Sequence, residues 1–253
     1  MQKLQFYLSP AQGKKLIAQA ISSLPEIEEA LKYHTIVVVA GTTNAPIAYE
    51  LLKKAGQEEH FNSNGFFRGV TVPQGITPAG KFGGDVILQK GKWLQGKTIF
   101  DIADTLTDQD IVLKGANAVN LEEKEAGVLL GNPTMGTAQP ILTAVYGRRV
   151  KLYVPVGTEK RVSGSLSKLA KLVNTPDGHG LRLLPLPGEV ITELEAAEIL
   201  TGLRPSLIAG GGILGAEGGC YYLAEGEKNI LEKLRQLLAL LEETPDFSLH
   251  RKE

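Results

Sequence analysis

Two short runs of β-branched and apolar residues, each emptying into a glycine turn, constrain this chain more than anything else in it. Thr35-Ile36-Val37-Val38-Val39-Ala40 leads into Gly41-Thr42-Thr43-Asn44, and Asp110-Ile111-Val112-Leu113 leads into Lys114-Gly115-Ala116-Asn117-Ala118-Val119-Asn120. An apolar run without polar alternation reads as a strand buried on both faces, which is the situation of a parallel sheet covered by helices. In open α/β sheets, ligands sit at the carboxyl ends of such strands. The two turns therefore locate a candidate site without naming its ligand.

The rest of the chain alternates in the same manner. Ser9-Pro10 is a helix start, with Leu16, Ile17, Ala20 and Ile21 on its apolar face. Residues 44–55 read as a helix stopped by Gly56. An irregular stretch, 61–84, contains Gly65-Phe66-Phe67-Arg68-Gly69 and is long enough to be functional or mobile. Residues 85–88 and 92–94, split by Lys90-Gly91, read as a hairpin, and 98–106 as a short helix. A strand at 125–130 empties into Asn132-Pro133-Thr134-Met135-Gly136-Thr137 and a helix through Ile141, Leu142 and Val145, and 150–156 is the next strand. Strand, turn and helix in repetition predict right-handed βαβ units in a mostly parallel, Rossmann-like sheet.

The composition shifts at 174–180, Asn-Thr-Pro-Asp-Gly-His-Gly, so the expected division is an α/β core at 1–175 and a smaller α+β lobe at 176–253. That lobe reads as a split βαβ, ferredoxin-like unit: a strand at 181–186, a helix opened by the Thr192/Glu195 capping box, strands at 206–210 and 220–224, and a helix at 228–243. The tail from Pro245 reads as frayed.

Charge and cysteine usage exclude several function classes. Lys+Arg 27 against Asp+Glu 28 give a net charge of -1, which offers nothing to a nucleic acid or another polyanion. One cysteine, Cys220, allows neither an intrachain disulfide nor a multi-cysteine metal site, and His34, His60, His179 and His250 lack metal-ligand spacing. No apolar run approaches a membrane span and Met1-Gln2-Lys3-Leu4-Gln5-Phe6 lacks a signal-peptide core, so a cytoplasmic protein without membrane partner is expected. No cofactor is called for, and a homo-oligomer is left open.

Two loops suit a small anion. Gly41-Thr42-Thr43-Asn44 offers backbone N–H groups, two hydroxyls and a helix dipole, or else simply caps the following helix. It has neither the Gly-Lys-Ser/Thr of a Walker A loop nor a Gly-x-Gly-x-x-Gly spacing. Asn132, Thr134, Gly136 and Thr137 repeat the pattern, and two such loops at one sheet edge would hold a phosphate together. Lys114 and Lys160, each just beyond a strand, add cationic donors or are solvated charges. Arg68 is placed to clamp a carboxylate or phosphate bidentately, or to pair with a local acid. Six glycines lie in residues 210–219, where Glu217 is the one ionisable side chain, a base or nucleophile in one reading and a solvated charge in the other. The Ser163, Ser165 and Ser167 pattern is not a nucleophile elbow, and one of the three is expected to cap the helix containing Leu169 and Leu172.

In order along the chain these fragments resemble the superfamily of ribose-5-phosphate isomerase A, glucosamine-6-phosphate deaminase and the CoA transferases. Gly41-Thr42-Thr43-Asn44 is similar to the isomerase's Gly-Thr-Gly-Ser-Thr phosphate loop, and residues 114–120 to its Asp-Gly-Ala-Asp-Glu-Val-Asp motif. Leu184-Pro185-Leu186-Pro187-Gly188-Glu189-Val190-Ile191 is similar to the isomerase's Pro-Leu-Pro-Val-Glu-Val-Ile-Pro. The resemblance implies the fold and a sugar-phosphate cleft. On this pairing the isomerase's acids fall on Lys114, Asn117, Ala118 and Asn120, its Lys-Gly-Gly-Gly-Gly loop becomes residues 131–136 without lysine, and no glutamate lies within 137–146. The base needed to move a proton between adjacent carbons is thus not matched. The expectation is a protein binding a small phosphorylated or carboxylated metabolite, a divergent sugar-phosphate enzyme in one form and a non-catalytic sensing module in another. Gly41, Thr42, Thr43, Asn44, Thr134, Gly136 and Thr137 would hold the anion, with Gly115, Asn117, Asn120 and Asn132 around them. Lys114 would transfer any proton, its pKa lowered by burial at a strand end. The CoA-transferase branch would instead place acyl transfer on Glu217.

Overall fold

The computed structural model describes residues 1–69, 71 and 83–242. The elements in chain order are β1 (Gln2–Leu8), α1 (Pro10–Ser22), α2 (Pro25–Tyr33), β2 (Thr35–Val38), α3 (Asn44–Lys54), β3 (Val86–Gln89), β4 (Lys92–Trp93), α4 (Ile99–Ile102) and β5 (Ile111–Leu113). There follow β6 (Ala118–Asn120), β7 (Glu125–Leu130), α5 (Ala138–Leu142), β8 (Lys151–Pro155) and α6 (Leu166–Val173). The chain continues through β9 (Arg182–Leu186), β10 (Glu189–Ile191), α7 (Glu193–Thr201), β11 (Ser206–Gly210), β12 (Cys220–Gly226) and α8 (Lys228–Ala239).

The central sheet has six strands in the order β10-β8-β5-β2-β3-β4. The first four run parallel, and the β3–β4 hairpin adds antiparallel to β2. The apolar run at 35–40 is what a doubly covered strand requires, because alternate residues enter different cores. Ile36 and Val38 pack with helices α1, α2 and α3. Val37 and Val39 join the opposite core with Ile99 of α4, Ile141 of α5 and Val128 of β7. Helix α1 opens with the reciprocal Ser9/Gln12 capping box, with Pro10 in its first turn, and α7 with Thr192 and Glu195.

Four sequence readings are corrected. Residues 181–226 do not make one split βαβ unit: β9 pairs with β7, β10 with β8, and β11 and β12 with β1 in a separate three-stranded sheet. The break between β9 and β10 falls at Gly188, where an added Cβ would lie 2.7 Å from Leu152 and Val154 side-chain carbons, so only a bare backbone passes that close to β8. Strand β1 was missed although Leu4, Phe6 and Leu8 alternate with Lys3 and Gln5, the pattern of a half-buried strand. The strand at 125–130 is antiparallel, in the sheet β6-β7-β9, rather than part of the parallel set. Asn120 reverses the chain there, its Oδ1 accepting the N–H groups of Glu122 and Glu123 at 3.0 Å each. Finally, Ser165 occupies the N-cap of α6 without a side-chain hydrogen bond; Glu125 Oε2 accepts the Leu166 N–H at 3.0 Å instead. The helix expected at 228–243 ends at Ala239, with a turn at 240–242; residue 243, the tail expected to be frayed from Pro245, and His250 lie outside the described residues, as does most of the irregular stretch between Gly69 and Gly83. Among the described residues no helix is long and apolar enough to cross a membrane.

Candidate functional site

The carboxyl ends of β2 and β5 open into a cleft of about 750 Å³. The turn at 41–43 forms one wall, residues 114–117 the floor, the end of β7 with residues 131–138 a second wall, and Phe67, Arg68 and Phe100 a third. Two loops far apart in sequence thus meet, because the β6–β7 hairpin turns the chain back over the floor, where the Asn117 N–H donates to the Gly127 carbonyl at 2.8 Å.

Gly41 starts α3: its carbonyl accepts the N–H groups of Asn44 (3.0 Å) and Ala45 (2.9 Å). The N–H groups of Gly41, Thr42 and Thr43 themselves make no hydrogen bond among the described residues. Thr43, at the N-cap, does not cap with its side chain. Its Oγ1 instead accepts Lys160 Nζ at 3.3 Å, and that ammonium also donates to the Ala116 carbonyl at 3.0 Å. Thr42 Oγ1 accepts Lys14 Nζ, from α1, at 3.3 Å. Two cations are therefore tied to the two hydroxyls of one turn, beside three unpaired N–H groups at the start of an eleven-residue helix.

Asn44 lies beneath this turn, fully buried. Its Nδ2 donates to the Val39 carbonyl at 2.7 Å and the Leu113 carbonyl at 3.1 Å, clamping the ends of β2 and β5. Its Oδ1 has no partner among the described residues. The clamp makes Asn44 a support of the turn rather than part of its lining.

Lys114 lies at the end of β5, its backbone N–H donating to the Tyr153 carbonyl at 3.0 Å. Burial, aided by the nearby Arg68 and Lys160 charges, lowers its pKa to about 8 against the opposing pull of Asp85. The expected depression at this strand end is present. Lys14 is likewise lowered to about 8 by burial and by Lys160, with Glu159 and Glu193 opposing. Burial also lowers Lys160, against the same two carboxylates. Glu193, fully enclosed at the start of α7, accepts the Thr158 N–H at 2.8 Å. Burial and the neighbouring Glu159 push its carboxyl up to about 7. Arg68 reaches into the cleft but is held by Asp85: its Nη2 lies 3.0 Å from both carboxylate oxygens.

Of the expected site residues, Gly41, Thr42, Thr43, Arg68, Lys114, Gly115, Asn117, Asn132, Gly136, Thr137 and Lys160 line this one cleft. Asn117 Oδ1 accepts the Leu129 N–H at 3.0 Å, tying the floor to the end of β7. Asn120 lies outside the lining; besides its turn it donates Nδ2 to the Gly164 carbonyl at 2.9 Å. Thr134 is exposed and folded onto Asn132 Oδ1, through its N–H at 2.8 Å and hydroxyl at 2.7 Å. Glu217 is exposed on the β11–β12 loop, where its carboxylate accepts the Gly215 N–H at 2.9 Å, and it does not line the cleft. Lys14 was missed. Its signal was present, since a lysine lies on the apolar stripe of α1 that includes Ala11, Ala18 and Ile21. Among the described lining residues there is no Asp, Glu, His, Cys or Ser. Compared with protein-family models, with curated proteins and with solved structures, the chain has no match in any of the three.

Proposed function

We propose that the protein binds a small phosphorylated or carboxylated metabolite in this cleft, the anionic group seated on the turn at 41–43 between Lys14 and Lys160. One observation carries the reading: three successive unpaired N–H groups stand beside two hydroxyls, each already bonded to a lysine. Oriented N–H groups at a helix start with cationic side chains are the physical recipe for anion binding. Thr137 and Gly136 supply the facing wall, and Asn117 and Asn132 the polar edge. The parallel strands with ligand turns at their carboxyl ends, together with the fragments similar to the isomerase, support a divergent relative of the isomerase, deaminase and CoA-transferase superfamily. A second reading, a sensing module without turnover, draws support from the absence of carboxylates among the described lining residues.

The test is a thermal-shift panel of inorganic phosphate, sugar phosphates, dicarboxylates, nucleotides, CoA thioesters and neutral sugars. A ligand at about 100 times its Kd adds roughly 2.7 kcal/mol, or roughly 5–10 °C for a chain of this size. The shift should appear with one anionic class and shrink in Thr43→Val. A panel flat for every anion, phosphate included, would sink the reading. Once a ligand is known, Lys114→Met separates the two forms: an enzyme loses turnover with little change in affinity, whereas a binding module loses affinity.

A further inference from the structure

Resting on that reading, we propose that the ligand carries a carbonyl group as well as its anion, and that Lys114 captures the carbonyl carbon as an imine. The substrate class is then a small phosphorylated aldehyde or ketone. The two amines lining the cleft, Lys114 and Lys160, and Lys14 behind its turn are not equivalent. Lys14 and Lys160 are fastened to Thr42 and Thr43. Lys114 Nζ has neither hydrogen bond nor ion pair among the described residues, although its backbone is fixed at the end of β5. The one carboxylate that acts on it, Asp85, is already occupied by Arg68 and by the N–H groups of Ala40 and Ile99.

Phe67, Phe100, Val128 and Leu129 line the same cleft and thin out the water that would otherwise solvate an ammonium. With no Asp, Glu, His, Cys or Ser in the described lining, an amine is the strongest nucleophile available there. Burial and neighbouring positive charge keep that amine partly unprotonated near neutral pH, the standard means of activating a lysine toward a carbonyl. The step balances with water alone. The Nζ lone pair attacks the carbonyl carbon, the carbonyl π pair moves to oxygen, and oxygen takes a proton from solvent while the newly bonded nitrogen releases one to it. The hydroxyl of the resulting carbinolamine takes a further proton from solvent and leaves as one water as the restored nitrogen lone pair forms the C=N bond, giving the protonated imine.

The experiment traps the imine with borohydride, whose hydride adds to the imine carbon and leaves a stable secondary amine that peptide mass mapping locates. The probe is glycolaldehyde phosphate, with glycolaldehyde as control and inorganic phosphate as competitor. With a pKa of about 8 against 10.5, Lys114 holds roughly 300 times the neutral-amine fraction of an ordinary lysine at pH 7. Lower basicity returns part of that gain, so labelling roughly tenfold above any surface lysine is expected. It should require the phosphate group, be suppressed by inorganic phosphate, and vanish in Lys114→Arg, which keeps the charge and whose folding is checked by its urea midpoint. Labelling spread over surface lysines, or equal with plain glycolaldehyde, overturns the proposal. A phosphate shift without any adduct overturns the imine and leaves the anion site standing. Neither shift nor adduct overturns both.

Discussion

Asp85 should be the single carboxylate whose loss lowers stability and raises anion affinity together. Its side chain is fully enclosed, and both oxygens are in use. Oδ1 accepts the Ala40 N–H at 2.9 Å and Oδ2 the Ile99 N–H at 2.8 Å, while Arg68 Nη2 lies 3.0 Å from each. Asp85→Asn keeps the shape but replaces one acceptor by an NH₂ donor. Whichever way the amide turns, a donor then faces a donor, and leaving a buried N–H unsatisfied costs about 1–3 kcal/mol. Arg68 also loses its counter-charge. Breaking a buried pair costs about 3–5 kcal/mol, and the partial exposure of Arg68 places this one at the lower end. A loss of about 3 kcal/mol corresponds to a fall in Tm of roughly 6–12 °C for a chain of this length.

The same substitution makes the cleft one unit more positive. Even at the dielectric of water, one added charge at cleft distances is worth roughly half a kcal/mol, so phosphate should bind about twofold tighter. Urea unfolding measures the first effect and calorimetric phosphate titration of the folded protein the second. Adding Arg68→Met to Asp85→Asn should return the affinity gain and part of the stability. If Asp85→Asn unfolds within about 1 kcal/mol of the parent, or binds phosphate more weakly while fully folded, then the pair is not the support described here.

Two further outcomes follow from the depressed lysines and the raised glutamate. Lys14 and Lys114, both with pKa about 8, carry charge below that value and lose it above, so phosphate affinity should fall steeply between about pH 7 and 9.5; lysines near the ordinary value would keep it level to about pH 9. The folded pKa of Glu193, about 7 against 4.5, means that the native state holds its proton where the unfolded chain has released it. Stability should therefore decline as pH rises from about 4.5 through 7, by up to about 3 kcal/mol. Glu193→Gln cannot ionise, so it should match the parent at pH 5 and exceed it at pH 8, less the attraction that Lys14 and Lys160 then lose. A difference between the two proteins that is constant across that range in urea melts would refute the assignment.

Most of what depended on local periodicity was legible, the alternation of β1 being the exception. The buried run at 35–40, the hairpin at 86–93 and the Thr192/Glu195 box all state their geometry in consecutive residues. Sheet membership was not legible, because pairing is decided by partners distant in the chain. Arg182–Leu186 shows the same apolar character whether it begins a new unit or pairs with β7, and only its antiparallel ladder to residues 126–130 decides for the second. Likewise, β7 reads as a buried strand in either orientation; the two backbone N–H groups gathered by Asn120 make it antiparallel.

The site divides along the same line. Its loops were readable because each is a run of small, turn-forming residues directly after a strand. The pairing of charges was not, since Lys14 reaches Thr42 from 28 positions away and Lys160 reaches Thr43 from 117. That division bears on what the cleft can do. A cation supplied by its own loop would move with the loop, whereas these two are rooted on α1 and just beyond β8, whose positions the central sheet sets. Asn44 locks the turn to both β2 and β5 from below, so the two threonine hydroxyls and their lysines hold their spacing before any ligand arrives. Such preorganisation avoids ordering side chains during binding. Arg68 contrasts with them, because its guanidinium is fully matched by Asp85 and adds little net charge to the anion. In the proposed site the selective part is then Lys114, the one of its three lysines without a side-chain hydrogen bond among the described residues, and its task would be set by whatever group the ligand carries beyond its anion.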